Sequence, residues 1–80
     1  MQTFFVMVKC EPGLAYDVAA AAVDTVDPVA EVYSTSGNYD LLIKVHLDTG
    51  QDVGKFVVSH LQTLKGVRDT FTVLCFKAFS

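Results

Sequence analysis

Thr70-Phe71-Thr72-Val73-Leu74-Cys75-Phe76-Lys77-Ala78-Phe79-Ser80 is a strand-like stretch that is apolar on both parities. Phe71, Val73, Cys75 and Phe79 occupy one parity, and Leu74, Phe76 and Ala78 the other. Side chains of a strand alternate between its two faces, so a strand with this pattern offers neither face to water. Two helices cover only one face of a four-stranded sheet. The stretch therefore predicts that a second subunit covers the other face and that the protein is an obligate dimer.

Upstream of this stretch, Lys65-Gly66 is a helix stop, a basic last turn followed by glycine. Before it, Val53, Phe56, Val57, His60, Leu61 and Leu64 mark one face of a helix, which Asp48-Thr49-Gly50 separates from the preceding strand. That strand, Tyr39 to Asp48, puts Leu41, Ile43, Val45 and Leu47 on one face, and Val29 to Ser36 alternates in the same way. Between the two strands lies Ser36-Gly37-Asn38-Tyr39, where Gly-Asn predicts a tight two-residue hairpin turn. Earlier still, Leu14, Val18, Ala22 and Val26, with Ala15, Ala19 and Val23 alongside, have helical spacing, and Asp27-Pro28 ends that helix. Phe4 to Cys10 is a β-rich run closed by Glu11-Pro12-Gly13. The order is βαββαβ across residues 1–80, with no linker or low-complexity tract. It predicts one domain of the α+β class: a ferredoxin-like sandwich of a four-stranded antiparallel sheet with two helices on one face, dimerising through the other sheet face.

Composition agrees with a small core extended by association. Of the 80 residues 51% are hydrophobic, yet no apolar run approaches the roughly 18 to 20 residues of a membrane span, so the excess reads as interface. The start, Met1-Gln2-Thr3, has neither the positive region nor the cleavage site of a secretory signal, which points to a cytoplasmic protein. Cys10 and Cys75 both lie in apolar runs, where a free thiol serves as a small hydrophobe. A net charge of −3 and bases scattered at Lys9, Lys44, Lys55, Lys65, Arg68 and Lys77 argue against direct nucleic-acid binding.

Cofactor and metal signals are absent from the pattern. Cys10, His46, His60 and Cys75 are not paired at ligand spacing, no glycine-rich phosphate loop occurs, and no elbow frames a nucleophile. His60 falls on the apolar helix face as a packed or boundary residue, and His46 on the less apolar face of its strand. The polar cluster Thr35-Ser36-Gly37-Asn38-Tyr39-Asp40 supports two readings. It is a well-made turn, since turns require these residue types, or it is a site for a zwitterion, with turn N–H groups for a carboxylate and Asp40 for an ammonium. Thr70 and Thr72 share a strand face, either to line a surface with hydroxyls or simply as good strand formers.

Glu31-Val32-Tyr33, Gly37-Asn38-Tyr39-Asp40-Leu41-Leu42-Ile43-Lys44-Val45, Leu61-x-x-Leu64-x-Gly66-Val67 and Thr70-x-Thr72 together resemble the effector-binding (RAM) domain of the Lrp/AsnC regulators, across essentially the whole chain. The resemblance implies a transcription regulator, not an enzyme. It implies dimers that pack sheet to sheet and close into an octamer or decamer, with a small amino-acid effector in clefts between dimers. Carried over residue by residue, the effector contacts fall on Gly37, Asn38, Tyr39 and Asp40, with Thr70 and Thr72 added from the last strand. A typical family member has a helix-turn-helix domain first, whereas Met1 here leads straight into the first strand, so the expectation is a stand-alone domain without its own DNA binding. It would sense an amino acid, co-assemble with full-length Lrp/AsnC regulators, or both. Two rivals remain beside this reading: a small dimeric α+β barrel enzyme with His46 as its acid or base, and an adaptor without ligand.

Overall fold

The computed structural model describes residues 1–79; Ser80, the end of the doubly apolar stretch, lies outside the described residues. Four strands and two helical segments follow the expected order: β1 (Gln2–Cys10), α1 (Ala15–Thr25), β2 (Val29–Ser34), β3 (Leu41–Leu47), α2 (Val53–Phe56) continued by a π-helical turn (Val57–Leu61), and β4 (Val67–Leu74). The sheet order is β2-β3-β1-β4 and every neighbouring pair is antiparallel. This is the predicted ferredoxin-like sandwich.

Alternation in the central strands decides which face the helices cover. Phe4, Val6, Val8 and Cys10 of β1 are buried, as are Leu41, Ile43, Val45 and Leu47 of β3. Against them pack Val18, Ala22 and Val26 from α1 and its end, and Phe56, Val57 and Leu61 from the second helical segment. Phe4 and Phe56 meet edge to face, with ring centroids 6.2 Å apart, an arrangement that aligns the positive ring edge with the negative face. Each fully buried Val, Leu, Ile or Phe contributes about 1.5–3 kcal/mol. The opposite parity of β1, Phe5 and Met7, faces Val73 and Phe71 of β4 and Lys44 and Leu42 of β3 on a sheet face that no helix covers.

Both helices depart slightly from the pattern reading. α1 stops at Thr25, because Val26 is already extended, two residues before Pro28. Asp52 caps the second helix by accepting from the Lys55 N–H at 3.0 Å. Its later turn widens to i→i+5 bonding, with Gln62 N–H donating to Val57 O at 2.9 Å. His60 is exposed rather than packed in the core, its ring 5.2 Å from that of Phe56.

Two expectations about the strands need correction. The β2–β3 connection is no two-residue turn. Thr35 N–H donates to Asp40 O at 3.0 Å, so four residues lie between the closing pair, and only Gly37 among them has positive φ (+107°). A two-residue turn at Gly37-Asn38 would be closed by Ser36 and Tyr39, and both of those residues lie inside this loop. In addition, β4 ends at Leu74, so Cys75 to Phe79 lie outside the sheet and are exposed.

Asp40 fastens the hairpin to β1. The last β1–β3 pair is Val8↔Leu41, so Cys10 extends beyond the ladder with its N–H lacking a strand partner on that side. The Asp40 carboxylate accepts that N–H at 2.7 Å, while Asp40 N–H donates to Val8 O at 2.9 Å. Replacing Asp40 by Ala leaves the Cys10 N–H unpaired and is expected to cost about 1–3 kcal/mol in urea unfolding. Asp40→Asn, whose amide oxygen still accepts, is expected to recover most of that loss; equal losses in the two variants would remove the clamp from the account.

Gly66 joins the helical segment to β4 under a double constraint. Its φ is +98°, and a Cβ there would lie 2.9 Å from Val18 Cγ2 and 3.1 Å from Leu14 Cβ. Gly37 has a similar φ but open space around it. Gly66→Ala is therefore expected to destabilise by about 2–4 kcal/mol, from backbone strain plus overpacking, and Gly37→Ala by about 1–2 kcal/mol from strain alone. Denaturant midpoints at matched protein concentration check the order.

Candidate functional site

The hairpin tip is held at several points. Besides the Asp40 clamp, Thr35 Oγ1 donates to Tyr39 O at 2.8 Å and Lys9 Nζ to Asn38 O at 2.8 Å. Lys9 stands on the uncovered sheet face, opposite Asp69, and reaches from there to the loop. The Tyr39 ring lies 6.3 Å from that of Phe71, tilted by 33°, and Phe71 pairs with Met7 on the same face. Tyr39 is half-buried, whereas Gly37 and Asn38 are exposed. The loop thus offers the Asn38 side chain and the backbone around Gly37 to whatever approaches, on a base fixed to β1.

Asp40 has a different role from the one its charge suggests. One carboxylate oxygen is engaged by the Cys10 N–H, so the side chain serves the fold of the hairpin. The proximity also acts on the neighbouring thiol: burial, then the Asp40 carboxylate, raises the Cys10 pKa above its ordinary value. Both effects disfavour the thiolate, so Cys10 is a core thiol rather than a nucleophile.

Thr70 and Thr72 do not join the hairpin residues on one surface. Thr70 pairs with Val8 and Thr72 with Val6, which places both on the helix-covered side, across the sheet from the Tyr39–Phe71 contact. Thr70 Oγ1 accepts from Gln62 Nε2 at 2.8 Å, beside a shallow groove of about 250 Å³ lined by Gln62, Val67, Arg68, Asp69 and Thr70. The parity of β4 alone carried this information, but only once its register against β1 was fixed. Lys9 and Phe71 both contact the hairpin, a role the sequence pattern did not assign to either. Their signal is the same register, which brings two odd-face residues beneath the loop.

The uncovered face carries a polar row beside its apolar patch. Lys44 Nζ lies 3.6 Å from Glu31 Oε1, and His46 Nδ1 lies 2.8 Å from Thr3 Oγ1. The Tyr33 phenol and then Lys44 hold the Glu31 carboxyl below the usual carboxylate range, and hydrogen bonding to Glu31 raises the Tyr33 phenol. At the sheet end away from the hairpin, a groove of about 390 Å³ is bordered by Asp27, His46, Asp48, Gln51, Phe56 and His60. Among the described residues, no three His, Cys, Asp or Glu side chains stand together as metal ligands would, and no helix is long and apolar enough to cross a membrane.

The sequence model of the Lrp/AsnC ligand-binding domain matches residues 3–80. An uncharacterised HTH-type transcriptional regulator from Pyrococcus furiosus is 34% identical over 76 residues, covering 92% of this chain and 51% of the relative. The chain thus spans about half the length of that relative. Among solved structures, TTHA0845 from Thermus thermophilus superposes with a TM-score of 0.87 at 32% identity, over 100% of this chain and 99% of that one. A transcriptional regulator from Neisseria meningitidis, solved as its L-Met complex, shares the fold with a TM-score of 0.81 at 21% identity, over 99% of this chain and 52% of that one. The matched model describes a ligand-binding domain and the Pyrococcus relative is a transcriptional regulator, which favours binding over the barrel-enzyme reading of His46. Match and geometry agree: the chain belongs to the Lrp/AsnC ligand-binding domain family.

Proposed function

We propose that this chain is a cytoplasmic amino-acid sensor that acts on transcription indirectly. Its effector is a small amino acid held at Gly37, Asn38, Tyr39 and Asp40 in clefts between dimers; Thr70 and Thr72, on the other side of the sheet, are left out of it. The observation that carries this reading is the anchored hairpin: a loop fastened to β1 through Asp40 and Lys9, with Asn38 exposed and a tyrosine ring beside it. Rigid placement of polar groups lowers the ordering cost of binding. Support also comes from the family's description as a ligand-binding domain and from the L-Met bound by the Neisseria relative.

The dimer forms through the uncovered sheet face, where Phe71 and Val73 stand exposed above Met7 and Phe5. Dimers then associate into an octamer or decamer, and the same contacts allow co-assembly with full-length Lrp/AsnC regulators. An effector that binds the larger assembly better than the dimer shifts the balance toward it.

Light scattering and thermal shift against each of the twenty amino acids test the sensor. One or two are expected to raise the melting temperature and change the molar mass; indifference to all twenty would sink the reading in favour of an adaptor without ligand. Asn38→Ala and Tyr39→Phe, which spare the loop's backbone bonds, are expected to weaken the responding amino acid at least tenfold, about 1.4 kcal/mol.

Val73→Asp tests the dimer face separately. It places a charge opposite Phe5 at the centre of the proposed contact and is expected to yield a folded monomer by sedimentation equilibrium. Retention of the wild-type mass would move the interface elsewhere.

A further inference from the structure

We infer, resting on the sensor reading above, that the Lys9 ammonium takes the effector's carboxylate, with the Asn38 side-chain amide beside it. The first observation is where Lys9 turns. Its register partner on β4 is Asp69, and opposite charges facing each other across a ladder ordinarily attract. Here each goes elsewhere. Asp69 Oδ1 accepts the N–H of its neighbour Thr70 at 2.9 Å, while Lys9 Nζ reaches the hairpin and donates to Asn38 O at 2.8 Å. Among the described residues, Lys9 has no carboxylate at ion-pair distance; Lys44 with Glu31 is the pair that forms.

The second observation is what the hairpin offers an anion. An ammonium carries three donors. Asn38 O engages one of them, and Lys9 is exposed, so the others are open to an acceptor arriving at the loop. At the base of the loop the N–H groups are already engaged, that of Thr35 by Asp40 O and that of Asp40 by Val8 O. The Asp40 carboxylate is turned to the Cys10 N–H and repels a second carboxylate rather than binding it.

Charge then decides the partner. The chain carries a net charge of −3, so capture of an anion requires a cation close at hand. Lys9 is that cation, and Asn38, exposed next to the carbonyl that Lys9 grips, adds amide N–H donors. One charged donor and one neutral donor match the two oxygens of a carboxylate. A lysine that only tethered the loop would serve every ligand alike. One that meets the carboxylate serves only ligands that have one.

That difference is the test. Each of the twenty amino acids and its primary amide, in which a neutral carboxamide replaces the carboxylate, is titrated calorimetrically into the full chain at about pH 6, where both keep the ammonium. The readout is the ratio of acid to amide affinity for the amino acid that binds. Lys9→Gln removes the charge and keeps a neutral donor, and the ratio is expected to fall at least about fivefold. Lys9→Met, which removes the donor as well, is expected to lower the ratio to the same level, with circular dichroism unchanged in both variants. An unchanged ratio, or acid and amide weakened alike, overturns the role of Lys9 and leaves the sensor standing. Binding of no amino acid to the wild-type chain overturns both. Salt gives an independent measure that needs no amide: raising sodium chloride from about 0.05 to about 0.5 M is expected to weaken the acid more in the wild type than in Lys9→Gln. Equal weakening also overturns the role.

Discussion

β1 is hydrogen-bonded on both sides, to β3 and to β4, and this double pairing is the constraint on which the rest depends. Side-chain alternation has a period of two, so one slip of register would turn every inward residue outward. With Phe4, Val6, Val8 and Cys10 committed to the helices, the facing residues of both neighbours are committed with them. Met7 and Phe5 must then stand on the other side, next to Phe71 and Val73. The uncovered apolar face is thus a consequence of building a core on β1 with only one layer of helices. A chain this short buries a limited share of its surface alone.

The hairpin depends on the same strand. Its carboxylate clamp grips the N–H that β1 presents just past the end of the β3 ladder, and its Lys9 tether comes from the odd face one residue earlier. The loop is thus joined to a central strand by charge-assisted hydrogen bonds. The residues proposed to touch an effector therefore rest on the strand that is paired on both sides, although the loop itself is six residues of irregular chain, Thr35 to Asp40.

Strand order, helix faces and the identity of the core were legible in the sequence because each is written as a repeated period. Leu41, Ile43, Val45 and Leu47 repeat every two residues and are buried without exception; Val18, Ala22 and Val26 repeat every four and face the sheet. Features that depend on one contact were not legible. Gly37-Asn38 has the composition of a two-residue turn, but Asp40 is drawn back to Cys10 and Val8, and the loop opens to suit. Thr70 and Thr72 share a face, as their spacing requires; which face depended on a pairing with Val8 and Val6 that no local pattern contains. The doubly apolar stretch reads as one continuous strand from its composition, yet only its first half is strand in a single subunit.

Proximity gives the proposed sensing a short physical route. The Tyr39 ring leans on Phe71, and Phe71 belongs to the face through which subunits are proposed to meet, so an effector at the hairpin and a partner on the sheet would press on neighbouring side chains. Coupling between two sites requires only that each favour the same arrangement of what lies between them, and here one aromatic pair lies between them. A ligand that orders Tyr39 would favour the Phe71 position that the dimer needs, and the dimer would return the same free energy to the ligand. Because linkage is reciprocal, tighter assembly would then appear as tighter binding, without any long path through the core.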